Sequence, residues 1–110
     1  MGIFRFSPRA EADLTGIARY ASRQWGEEQA IRYLDALEGR CAELAQSLSS
    51  GRPCSSIRPG LWRAEQGSHV VFFGRATEGI HVSRILHQRI LPEIHEMDDD
   101  EPEPAPLSTR

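Results

Sequence analysis

The residues of this chain most able to do chemistry gather near the end of its last apolar run. In "VSRILHQR", residues 82–89, Val82, Ile85 and Leu86 are interleaved with Arg84, His87 and Arg89. Two guanidinium groups and an imidazole this close together support three kinds of chemistry. A histidine can move a proton while arginines hold a phosphate, which is what ribonuclease chemistry at a 2′-hydroxyl requires. The same cations can grip a nucleic-acid backbone. They can also anchor a protein partner, because arginine forks bind carboxylates and often dominate interface energy. Arg75 and His81, on neighbouring apolar runs, extend the candidate set. The plainer reading is a charged strand edge that deters aggregation.

Composition narrows the choice. A length of 110 residues with 39% hydrophobic and 26% charged side chains describes one small globular domain. No apolar run is long enough to span a bilayer, so no membrane contact is expected. The opening "MGIFRFSPRAEADL" lacks the apolar stretch of a secretion signal, and a cytoplasmic location is expected. Cys41 falls in a helical pattern and Cys54 in a Ser/Pro-rich loop; with no CxxC pair, neither a metal nor another cofactor is expected. The net charge of −3 hides an asymmetry: residues 1–91 hold twelve arginines and nine acids (+3), whereas residues 92–110 hold one arginine and seven acids (−6). A +3 body without lysine is a weak electrostatic footprint for direct, sequence-specific nucleic-acid binding.

The elements that must position these residues are legible from periodicity. "IFRF" (3–6) alternates as a short strand. Ser7 and Pro8 then mark a helix start. Ala10, Leu14, Ile17 and Ala21 form one apolar stripe on a helix over 8–25, with Gly26 as its stop. Glu11 and Asp13 suit the positive end of its dipole, and Arg19 and Arg23 the negative end. Ala30, Leu34, Leu37, Cys41, Leu44 and Leu48 form the stripe of a second helix over 27–48. A loop over 49–56 leads to strands at 61–66, 69–74 and 80–86, separated at hairpin distances. Val70 to Phe73 suit the central strand, and the last strand departs from strict alternation, so a bulge or twist near Arg84 is expected. The fold class is therefore α+β: a short N-terminal strand, an antiparallel two-helix hairpin, then a three-stranded antiparallel meander. Residues 1–91 form the domain, and 92–110 an acidic, Pro-rich tail. That tail is expected to be disordered from about 97, with an extension or short helix over 90–96.

One layer of helices leaves the other sheet face and an edge uncovered, a patch that marks a partner site. Trp62, Phe72, Phe73 and Ile85 are the expected contact residues there, unless Trp62 is plain core. His69, at a hairpin boundary, reads as a turn residue.

In order along the chain, "SPRAEADL", "QWG", "QAIRYLDALEGRCAELA", "GRP", "IRPGLW", "GSHVVFF" and "RILHQR" resemble the ParE toxins of the RelE/ParE superfamily. The resemblance implies a type II toxin, neutralised by a cognate ParD-like antitoxin with a ribbon-helix-helix DNA-binding part. It implies poisoning of DNA gyrase rather than catalysis, and a role in target contact for the end of the folded chain. Arg75, Arg84, His87 and Arg89 are accordingly the expected target-binding residues, and Trp62, Phe72, Phe73 and Ile85 the antitoxin-binding ones. The RelE relatives, ribosome-dependent mRNA endonucleases, supply the alternative. They lean on lysine and a C-terminal tyrosine, and here lysine is absent and both tyrosines, Tyr20 and Tyr33, fall in the helices. One departure stands out: "HVVFFGR" has Phe73 and Gly74 where ParE sequences commonly carry Tyr and Arg. A non-toxic protein that keeps the fold as an antitoxin partner is thus a third reading.

Overall fold

The computed structural model describes residues 2–90. Strand β1, Ile3–Phe6, half-buries Phe4 and Phe6 and exposes Ile3 and Arg5, as alternation requires. Ser7 then begins helix α1, Pro8–Trp25. Its hydroxyl accepts the Ala10 N–H at 2.9 Å and donates to the Ser83 carbonyl at 2.8 Å. One buried side chain thus caps the helix and ties its start to the last strand. Gly26 alone links α1 to helix α2, Glu27–Gln46. Its φ of 91° with ψ of 163° is a conformation essentially confined to glycine.

The helix stripes seat as expected. Ala10, Ile17 and Ala21 of α1 and Ala30, Leu37, Cys41 and Leu44 of α2 are buried. Helix α2 ends two residues earlier than its stripe suggests, because Ser47 turns to extended backbone and Leu48–Ser50 form a 3-10 turn.

The expected meander is present as β3, Trp62–Gln66, β4, His69–Ala76, and β5, Gly79–His87. It is the centre of a larger sheet. A two-residue strand β2, Arg52–Pro53, pairs with β3 inside the segment expected to be loop, and β1 pairs in parallel with β5. The five strands lie in the order β1-β5-β4-β3-β2. Between Phe72 and Phe73 the register steps from Arg84 to Val82, leaving Ser83 as the extra residue of a bulge. Val82 and Ile85 are an odd number of residues apart and would otherwise face opposite ways. The bulge brings both into the helix-side core with Val71, Phe73 and Ile80.

The second sheet face is not open. Residues 54–60 fold over it, held by Cys54 N–H to the Leu61 carbonyl (2.8 Å) and Leu61 N–H to the Arg58 carbonyl (3.1 Å). Cys54 and Ile57 pack there on Leu61, Val70, Phe72 and Leu86. The Arg63 guanidinium lies 5.8 Å from the Phe72 ring centre, adding a cation–π contact. The expectation of an uncovered face with a partly exposed Phe72 or Phe73 is therefore corrected: a loop without periodicity supplies the cover. The expectations for residues 91–110 lie outside the described residues.

Candidate functional site: a groove between α1 and the end of β5

β1 ends opposite Val82, so the last residues of β5 have no strand on that side. Helix α1 runs alongside instead. Asp13, in the second turn of α1, accepts the Ile85 N–H at 2.9 Å, Arg84 Nε–H at 2.8 Å and Arg84 Nη2–H at 2.9 Å. One carboxylate thus replaces a missing strand partner and holds a forked ion pair. The Asp13 and Arg84 side chains are only 14% and 17% exposed, so this pair is a clamp between α1 and β5.

Beside the clamp the two elements enclose a groove of about 580 Å³. Its helix wall is Gly16, Ile17, Tyr20, Ala21 and Trp25, and its strand wall Ile85, Leu86 and His87, with Ile90 at the lip. Tyr20, Trp25 and Ile90 are about half exposed (55%, 48% and 50%). Large apolar side chains left out together beside a concavity mark a surface that another polypeptide covers.

The far end of the groove is polar and ordered. Tyr33, from α2, accepts the Ser68 N–H at 3.0 Å and meets His69 Nδ1 at 2.7 Å. Gly67, with φ of 60°, makes room: a Cβ there would fall 2.6 Å from the Tyr33 hydroxyl. Rings then run edge-on from Tyr20 to Trp25 (6.4 Å), Tyr33 (5.6 Å), His69 (5.6 Å) and His87 (5.4 Å). Burial holds the His69 pKa below its ordinary value, with His87 adding to the effect and Asp13 opposing it. A neutral His69 can accept the Tyr33 O–H at Nδ1. His87 Nδ1 accepts the Arg89 N–H at 3.2 Å, and the Ile90 N–H reaches the His87 carbonyl at 2.9 Å, closing a turn at the groove lip.

The expected site residues therefore separate. His87 lines the groove, and exposed Arg89 sits in the turn beside it. Arg84 also lines it, but its guanidinium is committed to Asp13, which corrects its reading as a projecting anchor. Arg75 is exposed and pairs with Ile80, six positions along β4 from His69, so it lies roughly 20 Å away at the other end of the sheet. Phe72 and Phe73 are 2% and 0% exposed and line no part of the groove, so their side chains offer no free contact surface; Ile85 is 2% exposed and reaches the groove only as part of its floor. Phe72 and Phe73 even belong to different core layers. Trp62 is half-buried and packs against Phe73, its ring centre 6.5 Å away. The residues passed over were Asp13, Tyr20, Trp25, Tyr33 and His69. The available signal was two aromatics of α1, Tyr20 off its apolar stripe and Trp25 at the stripe's exposed C-terminal end.

Cys41 is buried and Cys54 partly buried, and both are free thiols. Burial pushes the Cys41 thiol up to about 12 and raises that of Cys54. Among the described residues, no group of three or more His, Cys, Asp or Glu is placed to hold a metal ion. Among them, no helix is long and apolar enough to cross a membrane.

Residues 4–92 match the family model described as ParE toxin of type II toxin-antitoxin system, parDE. The chain belongs to the ParE toxin family. Its curated relatives include Toxin ParE1 of Caulobacter vibrioides, 37% identical over 92 residues, covering 84% of this chain and 95% of that one. Toxin ParE1 of Mycobacterium tuberculosis is 39% identical over 88 residues, covering 79% and 90%. Toxin ParE of Escherichia coli is 40% identical over 91 residues, covering 82% and 88%. A solved structure titled as the chromosomal ParDE TA system from P. aeruginosa superposes with a TM-score of 0.66 at 22% identity, covering 79% of this ParE chain and 96% of its own. That likeness concerns the fold: a helical hairpin on a mixed sheet.

Proposed function

We propose that this ParE-family toxin is neutralised by a cognate antitoxin whose apolar segment lies in the α1–β5 groove. The observation that carries the reading is the half-exposed trio Tyr20, Trp25 and Ile90 beside a strand edge that β1 has left. An extended or helical segment can cover such a surface, drawing affinity from aromatic anchors. The "ParDE" title of the solved neighbour is consistent with such a partner. We further infer that the toxin acts by binding DNA gyrase, with His87 and Arg89 at the groove lip and exposed Arg75 offered as contacts, and that it catalyses nothing. Dispersal of the basic candidates supports binding over catalysis: Arg75 is remote from His87, and Arg84 is already neutralised by Asp13.

The test is expression with and without an adjacently encoded ribbon-helix-helix protein. Alone, the chain should cause filamentation and a DNA-damage response, and the purified protein should trap gyrase on cleaved DNA. Co-expression should restore growth to the unaltered chain but not to a Tyr20→Ala/Trp25→Ala variant, which stays toxic. Rescue of that variant at the same partner level would move the antitoxin elsewhere. Prompt cleavage of ribosome-bound mRNA would replace the gyrase reading, and absence of any growth arrest would favour a partner-only role.

A further inference from the structure

We propose that the sheet face turned away from the helices is a basic surface that binds the phosphate backbone of duplex DNA without reading its sequence. The +3 of residues 1–91 is unevenly placed. Helix α2 holds five acids and two arginines (−3), whereas residues 49–90 hold six arginines and two acids (+4), and β1 adds Arg5. A weak footprint when summed over the domain thus becomes a concentrated one on the sheet. Charges act over about 10 Å at 0.1 M salt, so the local excess counts for more than the total.

Alternation and packing place four of these arginines on the far face. Phe4 and Phe6 pack on the helix-side core, so Arg5 between them points the other way, in register with His81. Arg63 lies over the ring of Phe72, a member of the far-face cluster, and Arg52 is its partner across β2 and β3. Arg58 belongs to the 54–60 cover and donates from Nη2 to Ser83 Oγ at 3.4 Å. Burial raises the Cys54 thiol pKa, yet Arg63, Arg52 and Arg58 each lower it, so three guanidiniums converge on one locality. Glu65 is the carboxylate beside them, accepting from Arg52 at 2.6 Å and Arg63 at 3.1 Å. Glu78, at the β4–β5 turn, shares a small recess with Arg5 at the edge.

The chemistry of the face favours nucleic acid over protein. A protein interface is built on aromatic and apolar anchors. Among the described residues, the exposed large apolar side chains are Ile3, Tyr20, Trp25, Ile31 and Ile90, and only Ile3 belongs to this face. Arginine forks without anchors suit phosphates, which are contacted from outside the grooves. Arg5 and Arg52 stand on the outermost strands, four strand spacings or roughly 19 Å apart. At 3.4 Å per phosphate along one strand, that width spans about five phosphates. The preference for DNA over RNA rests on the gyrase reading above, since gyrase presents a DNA duplex beside any bound inhibitor; the binding itself does not.

The test is fluorescence anisotropy of a 20-base-pair DNA duplex titrated with the full-length chain. Three phosphates neutralised give a slope of about −2.7 in log affinity against log salt, or about fortyfold weaker binding between 50 and 200 mM. Arg5→Gln/Arg52→Gln should weaken binding about tenfold at 50 mM salt. Arg19→Gln/Arg32→Gln removes the same charge from the helices and should change it less than twofold. Glu65→Gln releases both of its arginines and should tighten binding about threefold, a gain that misfolding cannot produce. Poly-L-glutamate should compete at least tenfold less well than unlabelled duplex. Absence of binding at 50 mM salt, equal losses in the two arginine pairs, or equal competition by poly-L-glutamate would overturn the assignment. The assay contains no gyrase, so failure here and failure to trap gyrase on cleaved DNA are separate results.

Discussion

The two halves of β5 live in different surroundings. From Gly79 to Val82 the strand is sandwiched between β1 and β4, and its backbone is satisfied by backbone. From Arg84 to His87 it keeps β4 but loses β1, and a side chain from α1 takes over. The first half is a closed piece of core. The second half is held by one carboxylate and leaves a groove beside it. Where a sheet gives up a strand part-way, its stability is concentrated in a few polar groups and its binding capacity in the space released.

The comparison breaks most sharply at Asp13. Asp13→Ala removes the carboxylate that serves both the Arg84 guanidinium and the Ile85 N–H in a largely buried site, and should cost about 3 kcal/mol in urea unfolding. Arg5→Ala, on the exposed side of β1 in the closed half, should cost close to nothing. A loss below about 1 kcal/mol at Asp13 would mean that the clamp does not hold the second half. Next comes the groove. Trp25→Ala should leave stability within about 0.5 kcal/mol, yet weaken a groove-bound antitoxin by about 2 kcal/mol, read by calorimetry. In the closed half, Ser7→Ala removes the helix cap and its bond to Ser83, costing about 1–2 kcal/mol with no loss of partner binding.

The smallest effect is a pH dependence. His69 has a folded pKa below its ordinary 6.5, so the unfolded chain binds the proton more readily. Its contribution is fully present above 6.5 and is lost as pH falls through the window beneath that value. Denaturant midpoints should therefore decline over that window in the unaltered chain and decline less in His69→Asn. Equal slopes would remove His69 from the ordered end of the groove.

Legibility in the sequence followed the range of the interaction. The helix stripes, the Ser7–Pro8 start, the Gly26 stop and the meander all rest on contacts or conformations within a few residues, and each was read correctly. So was the bulge, because Val82 and Ile85 fall out of phase locally. The parallel pairing of β1 with β5 joins residues 76 positions apart and leaves no local trace. Asp13 and Arg84 each had a sufficient local explanation, a helix dipole and a strand edge, so nothing prompted their pairing across 71 residues. Residues 54–60 have no period to read, and their cover over Phe72 was invisible for that reason. Burial of Phe72 followed from that cover, that of Phe73 from the helical layer, and that of Ile85 from the bulge that turned it toward the same layer. Site residues chosen as strand aromatics thus became core, and the exposed aromatics turned out to lie on α1.

The parallel pairing also imposes an order of events on the ribosome. Ile3–Phe6 emerge first, yet their hydrogen-bonding neighbours, Gly79–Val82, are among the last residues of the domain to be made. Helices α1 and α2 can form early, but the sheet they rest on waits for its final member. The groove therefore comes into being only as the last strand takes its place between β1 and β4.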